Sequence, residues 1–130
     1  MPVTCINPEG IDKPETYSHV AIATGARMIF IAGQVAEDVD GNLIGGTDMA
    51  QQARQVFANI GRALAAAGAR PEHVTKLTIF VANYSRVYLS QIEEGRVSLF
   101  GAHTPTDTLV GVAALSHPEY MLEVDAIAVV

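Results

Sequence analysis

Basic residues are scarce in this chain. It carries eight Lys and Arg against 14 Asp and Glu, a formal net charge of −6, and the eight run from Lys13 to Arg96 without a cluster. Nucleic-acid binders need a basic patch to displace phosphate counterions, so no nucleic-acid partner is expected. Long apolar runs are missing as well. None much exceeds about a dozen residues, where a bilayer span takes about 20, so no membrane partner is expected either. The opening "MPVTCINPEG" has neither a basic start nor an apolar core and does not read as a signal peptide. The lone Cys5 cannot form an internal disulfide, which fits a reducing cytoplasm; a partly buried strand thiol is the plainer reading of it than a nucleophile. No repeat, linker, phosphate-cradling glycine loop, nucleophile elbow or CxxC occurs. His19, His73, His103 and His117 are scattered without ligand spacing, so no metal site is expected.

What remains is apolar. Hydrophobic residues make up 49% of the 130 and charged residues 17%. Such a chain reads as one well-cored domain, residues 1–130, with part of its surface buried against copies of itself.

Residues 17–24, "YSHVAIAT", alternate as a half-buried strand, and "RMIFIAGQV" follows as a more apolar one, so the two are expected to form a hairpin. A short strand at "VTCIN" can precede them. "EDVDGNLIGG" is turn chemistry. Asp48 is a candidate N-cap with Gln51 at capping-box spacing, and Ala53, Val56, Phe57, Ile60, Leu64 and Ala67 form one helical apolar face that Gly68 ends. "HVTKLTIFVA" alternates as a strand, and "SRVYLSQIEEGRVSLFG" reads as a less regular helix. "TDTLVGVAAL" and "YMLEVDAIAVV" close the chain as two strands, a second expected hairpin. The order predicts an α+β fold, a mixed six-stranded sheet with two helices on one face. The uncovered face must be polar or pack against another subunit, and the apolar last strand favours the subunit.

Several of these segments, in this order, resemble the RidA/YjgF family of small trimeric imine and enamine deaminases: "YSHVAIAT", "IFIAGQV", "ANIGRALAAAGA", "VTKLTIFV", and "VGVAAL" followed by "MLEVDAIAVV". The match runs from about Tyr17 to Val130. It implies a homotrimer whose sheets pack into a barrel, with clefts between subunits that bind small 2-imino acids. Water hydrolyses these to 2-keto acids and ammonia, with no cofactor.

Strand alternation alone puts Glu123 and Asp125 on one face, about 7 Å apart, where both could be merely solvated. The resemblance assigns Glu123 to the family's acidic residue that holds the attacking water, a fitting type because an iminium carbon needs only oriented water and a proton acceptor. Gly33 matches the glycine whose backbone lines the cleft, though a strand glycine can equally mark a bulge. Tyr17 matches an aromatic residue overhanging the cleft, although "PET" precedes it where the family has a different frame. Gln91 falls near a ligand-holding amide, with a helix-surface Gln as the plainer alternative.

One position departs from the family. Its deaminases carry an Arg in a "P-x-R-S-T" segment that grips the substrate carboxylate through a bidentate fork. Aligned on Pro105, this chain has Asp107 there, which turns a carboxylate clamp into a repeller unless Arg27, Arg86 or Arg96 reaches in. Asp107 is therefore expected to be a ligand-binding residue of altered specificity, the alternative being a solvated acid in a cleft without function. On that expectation, Asp107→Arg should restore some hydrolysis of 2-imino acids. Three readings follow: a deaminase of neutral or cationic imines, a non-catalytic small-molecule-binding trimer, or a cation held by Asp107, Glu123 and Asp125. The family has also been labelled as ribonucleases, which the acidic balance disfavours.

Overall fold

The computed structural model describes residues 3–130. The elements run β1 (Val3–Ile6), β2 (Val20–Ala23), β3 (Met28–Gln34), α1 (Met49–Ala66), β4 (Val74–Ala82), α2 (Leu89–Phe100), β5 (Thr106–Val112) and β6 (Leu122–Val129). Two 3-10 turns, Pro71–His73 and Arg86–Tyr88, lead into β4 and α2.

α1 forms as its sequence dictates. The Asp48 carboxylate accepts the free N–H groups of Ala50 (3.0 Å) and Gln51 (3.3 Å). The Gln51 amide returns to the other Asp48 oxygen (3.0 Å), a side-chain variant of the capping box. Gly68, with φ +75°, follows the last turn. The helix buries Ala53, Val56, Phe57, Ile60 and Leu64 completely, and each of the larger side chains contributes about 1.5–3 kcal/mol by leaving water.

All six expected strands form, but in two ladders rather than one. β1 pairs antiparallel with β2, while the other four make a mixed sheet ordered β3-β6-β4-β5. Both expected hairpins are overturned. β2 leaves the sheet to pair with β1, and β3 pairs with β6 across almost the whole chain. β5 lies parallel to β4, and β6 inserts between β3 and β4.

The mixed sheet has two unlike faces. Leu77, Ile79, Val81, Leu122, Val124, Ala126 and Ala128 point to one side and join Phe57, Ile60, Leu64, Ile92 and Phe100 in a single core, so both helices cover that face. The opposite face is bare and partly apolar: Met28 is 62% exposed and Phe30 69%. Among the described residues no helix is long and apolar enough to cross a membrane.

Candidate functional site

Glu123 stands on the bare face, because its β6 neighbours Leu122 and Val124 are both buried against the helices. Beside it, the β3–β6 register slips between Ile31 and Gln34, a bulge that contains Gly33. The glycine has a steric cause. A Cβ there would overlap Oε2 of Glu123 and lie 2.8 Å from its Cδ. The carboxylate thus rests directly on the Gly33 backbone, a close approach that a side chain would forbid. Of the residues expected to serve the site, these two meet.

A row of amides on α1 braces this corner. Gln52, fully buried, donates to the carbonyls of Gly46 (2.6 Å) and Glu119 (2.9 Å) and accepts the N–H of Met121 (3.0 Å). Asn59 donates to the carbonyls of Val35 (3.0 Å) and Glu37 (2.9 Å), and Gln55 reaches Glu37 as well (3.3 Å). The two loops so held meet each other: the Tyr120 hydroxyl donates to the Glu37 carboxylate at 2.5 Å. That bond raises the Tyr120 pKa, helped by desolvation and by the negative charges of Glu37 and Glu123. Sequence reasoning missed the pair, since nothing local links residues 83 positions apart. A cleft of about 890 Å3 opens here, lined among others by Gly33, Glu37, Gln55, Asn59 and Arg62.

Asp107 lies elsewhere. It stands opposite Leu77 in the parallel β4–β5 ladder, so it faces the helices, the side away from Glu123. Its carboxylate forms an ion pair with Arg96 of α2; the Arg96 side chain is 2% exposed and that of Asp107 9%. Glu93 Oε2 stands 3.1 Å from Arg96 Nε, near enough for an ion pair yet off the hydrogen-bond line. Glu93 Oε2 and Arg96 Nε and Nη1 thus have no hydrogen-bond partner among the described residues. Burial pushes the Asp107 pKa up, against the pull of the Arg96 charge, and the Glu93 charge pushes the same way.

Within the chain, Asp107 is thus engaged with Arg96 and is not brought to Glu123. The acid neutralises a buried guanidinium, and within the chain either partner meets a ligand only by giving up this ion pair. Arg96 does turn towards Asp107, but inside the core, while Arg27 and Arg86 are exposed on the surface. The cation-site reading fails for one chain too. Asp107 and Glu123 occupy opposite faces, and no group of three potential ligands gathers among the described residues.

Tyr17 is half-buried, its ring edge-on to His19 at 5.8 Å between centroids. The next residue, the buried Ser18, bonds Thr104 through its hydroxyl (2.9 Å) and the Pro105 carbonyl through its N–H (3.3 Å). Tyr17 therefore belongs to the start of β5 and not to the Gly33–Glu123 corner. Gln91 is half-buried in the first turn of α2. Within the chain, neither is brought to Glu123.

The geometry defines an α+β protein with helices on one sheet face and a polar cleft at the sheet's β3 edge. The family model described as Endoribonuclease L-PSP matches residues 10–130, and the chain belongs to that family, the YjgF/RidA family. Its structure is similar to that of YyfB from Yersinia pestis, a Rid-family protein of unknown function, with a TM-score of 0.95, 36% identity and 100% of both chains covered. It is 31% identical over 104 residues to the human 2-iminobutanoate/2-iminopropanoate deaminase, covering 79% of this chain and 73% of that one. Against protein HMF1 of Saccharomyces cerevisiae, identity is 32% over 100 residues, 77% of this chain and 74% of the yeast protein.

Proposed function

We propose that this protein is a cytoplasmic homotrimer whose inter-subunit clefts bind a small imine or enamine metabolite and hydrolyse it, without a cofactor, to a carbonyl compound and ammonia. The observation that carries the reading is the Glu123 carboxylate resting on the backbone of Gly33, a residue that also lines a cleft. A carboxylate so placed accepts a proton from water as the water oxygen bonds to the iminium carbon. The C–N bond of the resulting carbinolamine then breaks, and the nitrogen leaves as ammonia. The name of the human relative supports this chemistry. The bare sheet face, with Met28 and Phe30 in water, supports the trimer, since so much apolar surface needs cover. A ribonuclease is disfavoured by eight basic residues against 14 acidic ones.

The proposed substrate is an imine without a carboxylate, a reading supported by the resemblance that aligns Asp107 with the family's carboxylate-binding Arg and by the pairing of Arg96 with Asp107. This same feature favours a second reading, a binding trimer without turnover. Ammonia release from a panel of imines generated in situ, corrected for fast uncatalysed hydrolysis, decides between them. Turnover should appear on at least one imine lacking a carboxylate and fall roughly a hundred- to ten-thousand-fold in Glu123→Gln. Background rates on every imine, from a trimer that binds them, would leave the second reading.

A further inference from the structure

The corner around Glu123 carries a second, fixed carboxylate. Glu37 is held on three sides: its backbone carbonyl by Asn59 and Gln55 of α1, its N–H by the Val35 carbonyl (2.8 Å), and its carboxylate by the Tyr120 hydroxyl. Tyr120 is fixed in turn, because Gln52 grips the backbone of the residues on either side of it. A phenol supplies one proton and no positive charge, so the pair stays anionic while Glu37 is ionised. Glu37 lines the same cleft as Gly33, on which the Glu123 carboxylate rests.

We propose that Glu37, held by Tyr120, is a specificity-determining residue that tunes the Glu123 cleft to a cationic ligand, an amine or iminium compound without a carboxylate. The proposal rests on reading Gly33 and Glu123 as the ligand site. The Glu37 carboxylate is bonded to the Tyr120 hydroxyl and the Glu123 charge also acts on that phenol, so two acidic side chains flank one neutral donor, an arrangement that stabilises a cation and repels an anion. The pair is built for position: a mobile surface acid would need neither the three α1 amides nor the phenol. The other charges of the cleft lining do not reverse the sign. Asp38 spends its carboxylate on the N–H groups of Asp40 and Asn42 in its own turn (both 2.9 Å). Arg62, exposed on the α1 wall, rests its guanidinium on Asn59 Oδ1 (3.3 Å).

Calorimetric titration of the full chain with three five-membered rings tests this: pyrrolidinium (a cation), proline (a zwitterion) and pyrrole-2-carboxylate (an anion). Pyrrolidinium should bind tightest and the anion weakest. Glu37→Gln should weaken pyrrolidinium about three- to tenfold and narrow the cation-to-anion ratio, which a purely structural loss would leave unchanged. Tyr120→Phe, which keeps the charge but frees its carrier, should weaken the cation less and serves if Glu37→Gln does not fold. Proline binding tightest, with Arg62→Ala abolishing it, would overturn the proposal in favour of an amino-acid-like ligand, as would a ratio indifferent to Glu37→Gln. Binding of all three rings untouched by Glu123→Gln would instead show that the ligand site itself is misassigned. Cation preference without imine turnover would uphold the charge selection while removing the hydrolase.

Discussion

The two faces of the mixed sheet treat a carboxylate in opposite ways. Glu123 on β6 and Asp107 on β5 both flank β4, the first opposite Phe80 and the second opposite Leu77, three residues apart. Alternation along β4 sends the first to the bare face and the second under the helices. On the bare face the acid keeps its oxygens free beside a bulge and a cleft. Beneath the helices the acid is a counter-ion, desolvated and bound to Arg96. A position that aligns with a binding residue is thus a binding residue only if its side chain has no stronger claim on it inside its own chain.

The contrast can be broken most forcefully at Asp107. Asp107→Ala leaves the buried Arg96 with Glu93 alone as counter-ion and should cost up to about 3–5 kcal/mol, read as a lower midpoint in urea unfolding. Asp107→Arg sets two guanidinium groups together under α2 and should cost more, so the variant is expected to aggregate instead of gaining activity. Replacing both partners, Arg96→Met with Asp107→Leu, should be neutral or stabilising by about 1–4 kcal/mol, because an apolar pair avoids the desolvation of the charges. If the double variant is as unstable as the single one, the pair is not the reason Asp107 matters.

Around Glu123 the expected losses extend from stability to function. Gln52→Leu leaves the carbonyls of Gly46 and Glu119 and the N–H of Met121 without partners, at about 1–3 kcal/mol each where they stay dry. Because it loosens the loop carrying Tyr120, ligand binding should weaken along with the melting temperature. Gly33→Ala should cost about 1–3 kcal/mol in overpacking and displace the Glu123 carboxylate, so imine turnover should fall nearly as far as in Glu123→Gln. Wild-type turnover in Gly33→Ala would break the link between bulge and site.

The smallest effect is a pH dependence. Folding raises the Asp107 pKa above its ordinary value of 3.8, so the native chain holds that proton more tightly than the unfolded one. The stability this contributes is complete below 3.8 and is lost as pH rises through the folded value. The stability difference between the wild type and the Arg96→Met, Asp107→Leu variant should therefore shift in the variant's favour as pH rises through that window. A constant or opposite shift across the same window would count against a desolvated Asp107.

Much of the fold was legible because its causes are local. Asp48, Gln51, the apolar face from Ala53 to Leu64, and Gly68 specify α1 within a few turns, and each strand announces its buried face by alternation. Strand partners were not legible. Alternation says which way a side chain points but not which strand lies alongside, and the loops after β2 and β5 carry their strands away from the neighbours that sequence order suggests. Gly33 and Glu123 were each assigned to the cleft by resemblance; their contact and its steric cause required coordinates. The Arg96–Asp107 pair had a signal that went unread. Arg96 lies four residues after Ile92 and four before Phe100, both buried, which places it on the inner face of α2. A buried Arg demands a buried acid, and Asp107 stands second in the next strand. The Glu37–Tyr120 bond had none, because it joins two loops through backbone that α1 amides hold in place.

The central claim is that Glu123 serves a ligand while Asp107 serves the core, and parallel measurement of stability and imine turnover in two variants tests it most directly. Glu123→Gln should unfold within about 0.5 kcal/mol of the wild type and lose turnover. Arg96→Met with Asp107→Leu should fold at least as stably as the wild type and retain turnover within about threefold, a shift near 0.6 kcal/mol in the barrier. A double variant that folds and assembles normally but no longer turns over its imine would contradict the account, placing Asp107 in the cleft after all.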